Sequence, residues 1–297
     1  MKLVAGVELI TVDKRAGLSG WLNLRAQLRG RQFDVLLHMQ LAIRASMMAR
    51  EVTAPVKVGF DRARARELQW LFTNARIASR SQEHVLDSFF GFIGALGIQE
   101  RILRWDIPLP ADALAYARAL IPDSQPTLVM SPCSSHPLRN WPVDRYAAVA
   151  DHAFREHGMR VILVGGPTTL ELQTGAAIER LVDARAKVVN QVGKDTLPQL
   201  LALLSQARVL LAPDSGPVHM ATMVGTPVIG LYAATNPARS GPYLSRQWCV
   251  DAYPEAAVRF CGKAPDALPW TRKIEERGVM ELITVPQVTA KIDELLR

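Results

Sequence analysis

The chain is 297 residues long and 49% apolar, with a formal net charge of +7 and a pI near 9.6. That composition fills one large or two ordinary hydrophobic cores, and no apolar run reaches the ~20 residues that a membrane-crossing helix needs. The opening MKLVAG lacks the apolar core and cleavage site of a leader peptide, and Cys133, Cys249 and Cys261 form neither a C-x-x-C pair nor a metal-binding spacing, so a reduced, cytosolic protein is expected. The cationic excess calls for an anionic partner: nucleic acid, an anionic membrane or a phosphorylated substrate. Nucleic acid is disfavoured, because the chain has no basic stripe interleaved with aromatics and no nucleic-acid-binding module.

In chain order, residues 7–12 (VELITV) alternate as a strand does, and 18–28 carry a helical pattern through Trp21, Leu22, Leu24 and Leu28. Residues 33–37 read as a strand, 42–50 as a helix and 56–60 as a strand opened by Pro55, followed by an arginine-rich turn at 61–66 and an amphipathic helix over 84–96. A short helix at 111–120 lies among Pro108, Pro110, Pro122 and Pro126, and the domain boundary is placed there, with a first domain over 1–122 and a second over 123–285. Strands at 127–130, 160–164, 187–192, 209–212 and 228–231 then alternate with helices at 143–157, 170–182, 197–206 and 218–224. A last helix over 288–296, in the segment 286–297, is a candidate to cross back to the first domain. This alternation predicts an α/β fold of two parallel sheets, with ligands collecting in a cleft between them at the carboxyl ends of strands.

Two polar turns stand where such a ligand would bind. In APDSGPVHMA a buried strand stops at Asp214, Ser215 suits the N-cap of the next helix, Gly216 lets a ligand approach the backbone, and His219 lies in the first turn. Unpaired N–H groups and the positive helix end make that turn a candidate anion site, although an ordinary capped crossover reads the same way. The turn SPCSSHPLRNWP follows another strand, and Ser131, Ser134, Ser135 and Arg139 are its candidate phosphate contacts; a plain loop anchored by a buried Trp141 is the alternative. Gly165-Gly166-Pro167 is not G-x-G-x-x-G, which disfavours a dinucleotide-dependent oxidoreductase. His38, His84, His136, His152 and His157 show no ligand spacing, so no metal site is expected.

The longer string DSGPVHMA, then GTPVIGLY, then TNPARSGP resembles the donor-binding half of glycosyltransferase family 9, the ADP-heptose:lipopolysaccharide heptosyltransferases. The resemblance implies the GT-B fold, two Rossmann-like domains with the donor on the second. It places the ADP-sugar on Ser131, Ser134, Ser135, Arg139, Asp214, Ser215, Gly216 and His219, with Glu171 near the nucleoside and Thr196 in a capped loop beside the adenine. Arg62, Arg64 and Arg66 match the acceptor side and would meet anionic groups of the lipopolysaccharide core. The implied reaction is inverting transfer of heptose from ADP-heptose to the inner core at the cytoplasmic face of the inner membrane, with no obligatory metal or other cofactor. The chain departs from the family in two places. Arg139 stands where a lysine is usual, and no Gly-Asp motif after a first strand supplies the expected catalytic base. The resemblance begins partway into the first domain, so roughly one βαβ unit of 30 or more residues is expected to be absent, leaving apolar surface exposed on that sheet. A non-catalytic sugar-nucleotide-binding protein is therefore the alternative function, and a GT-B sugar-nucleotide epimerase a third.

Overall fold

Two parallel sheets, one in each of two units, Met1–Leu103 and Arg104–Arg297, arise from the strand–helix alternation. The computed structural model describes residues 6–13, 15–186 and 188–297; the leader reading of residues 1–5 and the strand start at Lys187 lie outside them.

The first unit contains α1 (Gly17–Leu28), β1 (Val35–Leu37), α2 (Ile43–Arg50), β2 (Val56–Gly59), β3 (Ala75–Arg76) and α3 (Val85–Gly94). Its strands lie in the order β1-β2-β3, with Val35 opposite Val56 and Val58 opposite Ala75. The core is small: Val58, Ile77 and Phe92 are buried, and Phe60 meets Phe92 edge-on at 5.0 Å. Leu9, Leu18, Leu22, Met47 and Leu71 stand exposed. Residues 7–12 form no strand: their alternation has no neighbour to pair with among the described residues. The two-residue β3 is too short to show a period, and sequence patterning passes over it.

The second unit contains α4 (Ala111–Leu120), β4 (Thr127–Met130), α5 (Val143–His157), β5 (Arg160–Leu163), α6 (Thr169–Leu181), β6 (Val189–Asn190) and α7 (Leu197–Gln206). It continues through β7 (Val209–Pro213), α8 (Gly216–Met223), β8 (Val228–Tyr232), α9 (Pro237–Ser240), β9 (Val250–Asp251), α10 (Tyr253–Cys261) and α11 (Val285–Leu296). Its strands are all parallel in the order β6-β5-β4-β7-β8-β9. Because side chains alternate across a strand, Leu128, Met130, Val209, Leu211, Ile229 and Leu231 enter one apolar layer, with α5 and α11. Val129, Ile162, Leu210, Ala212 and Val228 enter the other, with α4 and α7. Both faces are covered, which is why these strands read as unbroken apolar runs.

Two boundaries differ from the sequence expectation. The units divide between Leu103 and Arg104, not at 122/123. Helix α4 belongs to the second unit because Ala113, Ala117 and Ile121 are buried in the layer that holds Leu200, Leu203 and Leu204 of α7, and small alanine side chains permit that close packing. The last helix packs within the second unit: Val288 and Ile292 of α11 are buried in its core, and the Trp141 Nε1–H donates to the Ile283 carbonyl at 2.9 Å.

Candidate functional site

The strand order of the second sheet reverses direction between β4 and β7, which are direct neighbours. At such a switch point the loops leaving the two strands run to opposite faces and open a crevice at their carboxyl ends. The two turns singled out by sequence are those loops: Ser131 follows β4, and Asp214 follows β7. Ser131 is buried, its N–H continuing the ladder to the Leu211 carbonyl at 3.0 Å.

On the β7 side, Ser215 is the N-cap of α8 in extended conformation, as expected, but its hydroxyl makes no capping bond. The Ser215 Oγ is buried and has no hydrogen-bond partner. A buried hydroxyl left unbonded costs about 1–3 kcal/mol, a cost that a group bonding it would remove. Gly216 beside it is exposed, and a Cβ built there would meet nothing within 4 Å; the backbone at this helix N-terminus is open to approach. Asp214 is half-buried. The His219 ring is exposed by area, yet the protein packed around it holds its pKa below the usual histidine range, with Asp214 pulling the opposite way.

On the β4 side, Ser134 is turned into its own loop: its hydroxyl donates to the His136 carbonyl at 3.0 Å and its N–H donates to Asn140 Oδ1 at 2.8 Å. Ser135 is exposed. Arg139 is held by Glu275, with Nε and Nη2 donating to one carboxylate oxygen at 2.8 and 2.5 Å. Desolvation would raise the Glu275 pKa, but hydrogen bonding and charge from Arg139, with His136 beyond, leave it below the ordinary value. Two polar loops, one at an anion-compatible helix end and one carrying a guanidinium, therefore leave neighbouring strands at the switch point.

A model of glycosyltransferase family 9 (heptosyltransferase) matches residues 21–263. The lipopolysaccharide core heptosyltransferase OpsX of Haemophilus influenzae is 39% identical over 292 residues, spanning 98% of this chain and 83% of that protein. The chain belongs to glycosyltransferase family 9. It is accordingly a transferase. The family 9 glycosyltransferase from Veillonella parvula, 22% identical, superposes with a TM-score of 0.76 over 98% of this chain and 82% of that one. The Escherichia coli heptosyltransferase WaaC with ADP, 21% identical, gives 0.68 over 94% and 78%. These likenesses give the fold as GT-B.

The remaining family-derived positions fall as follows. Glu171 is committed to its own turn: it accepts from the Gly166 N–H at 2.9 Å and the Thr168 hydroxyl at 2.6 Å, and a Cβ on Gly166 would come within 2.9 Å of its carboxylate. Thr196 caps α7 in a reciprocal box with Gln199. Its neighbour Asp195 carries the more unusual environment: Oδ2 is buried without a partner, and burial raises its pKa to about 6. The Lys194-Asp195-Thr196 turn is legible in sequence, whereas Asp195's burial is not.

In the first unit the three arginines separate. Arg64 is consumed internally, bonding Asp61, Glu83 at 2.6 Å, Ser88 at 3.1 Å and the Ala78 carbonyl at 2.8 Å. Arg62 is exposed and stacks over Trp70 at 4.9 Å, and Arg66 is exposed. Arg62, Trp70 and Arg76 line a cavity of about 70 Å³ beside β3; sequence reasoning missed Arg76 because only the parallel pairing of β3 with β2 brings it there. Glu67 and Leu68 adopt positive φ, 49° and 60°, in the loop that follows these arginines. Asp13 is exposed and accepts the Arg15 N–H at 2.8 Å, outside any strand.

Proposed function

We propose that this chain transfers heptose from ADP-heptose to the inner core of lipopolysaccharide, with inversion at the anomeric carbon. The observation that carries the donor side is the buried, unpartnered Ser215 hydroxyl at the N-terminus of α8, on the switch-point loop. A diphosphate oxygen completes that hydroxyl's bonding, the positive end of α8 offsets its charge, and Asp214 and His219 orient it. OpsX and the E. coli lipopolysaccharide heptosyltransferase 3, 23% identical over 94% of this chain, point to the same acceptor class.

In the reaction an acceptor hydroxyl oxygen attacks the anomeric carbon as the bond to the β-phosphate oxygen breaks. ADP leaves with the electron pair, and the hydroxyl proton passes to a base. Charge grows on the diphosphate as this bond breaks, so donors fixed around it lower the barrier. Arg139 supplies a further cation once released from Glu275. On this reading no metal ion is required. Arg62 and Arg76 meet anionic groups of the acceptor. The excess positive charge favours approach to anionic lipid at the inner face of the cytoplasmic membrane; no helix among the described residues is long and apolar enough to cross it.

Calorimetric titration of the full chain with ADP, UDP and GDP, followed by a transfer assay with ADP-heptose and inner-core acceptor, tests the proposal. Preference for ADP, lost in Asp214→Ala, with acceptor-dependent product of inverted anomeric configuration, is expected. Equal affinity for all three nucleotides rejects the donor. Tight ADP binding with no transfer makes the chain a sugar-nucleotide binder.

A further inference from the structure

At the opposite edge of the second sheet, three side chains meet that the sugar-transfer site does not use. His152 and His157 on α5 each place Nε2 at 2.7 Å from the same oxygen, Oδ1 of Asp293 on α11. Their ligand atoms all lie within 4.8 Å of one another, and among the described residues this is the one group of three histidine, cysteine or acidic side chains that converges so. The side chains are 24%, 22% and 35% exposed, open enough for an ion to enter from solvent. We propose that His152, His157 and Asp293 bind a divalent transition metal ion of the zinc type, and that the ion pins the C-terminal helix to the domain.

The spacing supports this. Around a tetrahedral zinc, with bonds of ~2.0–2.2 Å to nitrogen and oxygen, neighbouring ligand atoms stand roughly 3.4 Å apart. The two nitrogen–oxygen edges are 2.7 Å and the nitrogen–nitrogen edge is no longer than 4.8 Å, so shifts of roughly 1–1.5 Å, within the reach of side-chain rotation, admit the ion. Two imidazoles and a carboxylate leave a fourth position for water.

Helix geometry is an independent argument. The start of α11 lies by the start of α5, where Arg145 and Trp141 donate to the Ile283 carbonyl. Asp293 in the last turn of α11 meets His157, the final residue of α5. The two helices therefore run parallel and bring two carboxyl-terminal dipole ends together, each equivalent to about half a negative charge. A cation between them offsets that repulsion. Lys291 is paired with Glu294 at 3.1 Å, and Arg155, in the last turn of α5, turns its Nε to the Asp151 carbonyl at 3.2 Å. Sequence spacing hid the site because Asp293 lies 136 residues from His157.

The test is titration of the full chain, free of any histidine tag, with zinc chloride, by calorimetry and by thermal melting with and without chelator. One ion per chain is expected, with a melting temperature raised by about 5–10 °C at a free zinc concentration ~100-fold above Kd. His152→Gln and Asp293→Asn should each weaken binding at least ~10-fold while keeping the wild-type circular dichroism; His157→Gln replaces either variant if it fails to fold. Absence of saturable binding tighter than ~1 mM overturns the proposal, as does unchanged affinity in the double variant His152→Gln, His157→Gln. Either result makes the cluster a hydrogen-bonded clasp.

Discussion

Ser215 separates the cost of folding from the cost of binding at a single atom. Its Oγ has no protein partner, so Ser215→Ala removes a buried hydroxyl that the fold does not use. The variant should keep or slightly raise the melting temperature and weaken ADP binding about 10-fold or more, since hydrogen bonds to charged groups contribute roughly 1.5–3 kcal/mol; calorimetry and a thermal melt read the two effects separately. Glu275 makes the reverse prediction. It holds the guanidinium that a diphosphate would use, so Glu275→Gln should tighten ADP binding several-fold, measured in the same titration. Asp195 gives a pH dependence. Its folded pKa of about 6 lies above the ~3.9 of an unfolded aspartate, so the folded state binds the proton more tightly and Asp195 costs stability as pH rises through that interval. Asp195→Asn should therefore be more stable than the parent at pH 7, with the difference vanishing below about pH 4, as melting curves across that range will show.

Among the elements, the β4–α5 connection has a structural anchor of the kind its sequence suggests. Trp141 is buried, meets Tyr146 edge-on at 5.2 Å and bonds the Ile283 carbonyl, joining the start of α5 to the segment that leads into α11. Trp141→Phe keeps most of the apolar contact but leaves that buried carbonyl with fewer donors, and should cost about 1–3 kcal/mol by urea denaturation. The β7–α8 turn needs no such anchor. Its conformation follows locally from a strand that stops at Pro213 and a helix that starts at Gly216, and this is why DSGPVHMA is readable before any fold is known.

The whole molecule combines units of unequal strength. The second has apolar layers on both faces of a six-stranded sheet, whereas the first rests on three short strands and a small buried cluster with many exposed leucines. Backbone amides of β1 and β2 should exchange with solvent well before those of β4, β5 and β7 in native-state hydrogen exchange; equal protection in the two sheets would contradict this. The strand–helix alternation, the buried strands of the second unit and the family signature around Asp214 were determined by sequence alone, because each depends on residues close together in the chain. Tertiary structure decided what depends on distant partners. It placed α4 and α11 in the second unit through their buried faces. It paired Arg139 with Glu275, drew Arg64 into an internal network and joined Arg62 to Arg76, and it closed His152 and His157 on Asp293. Local patterning cannot carry these pairings, since each arises only when the sheets and helices have packed.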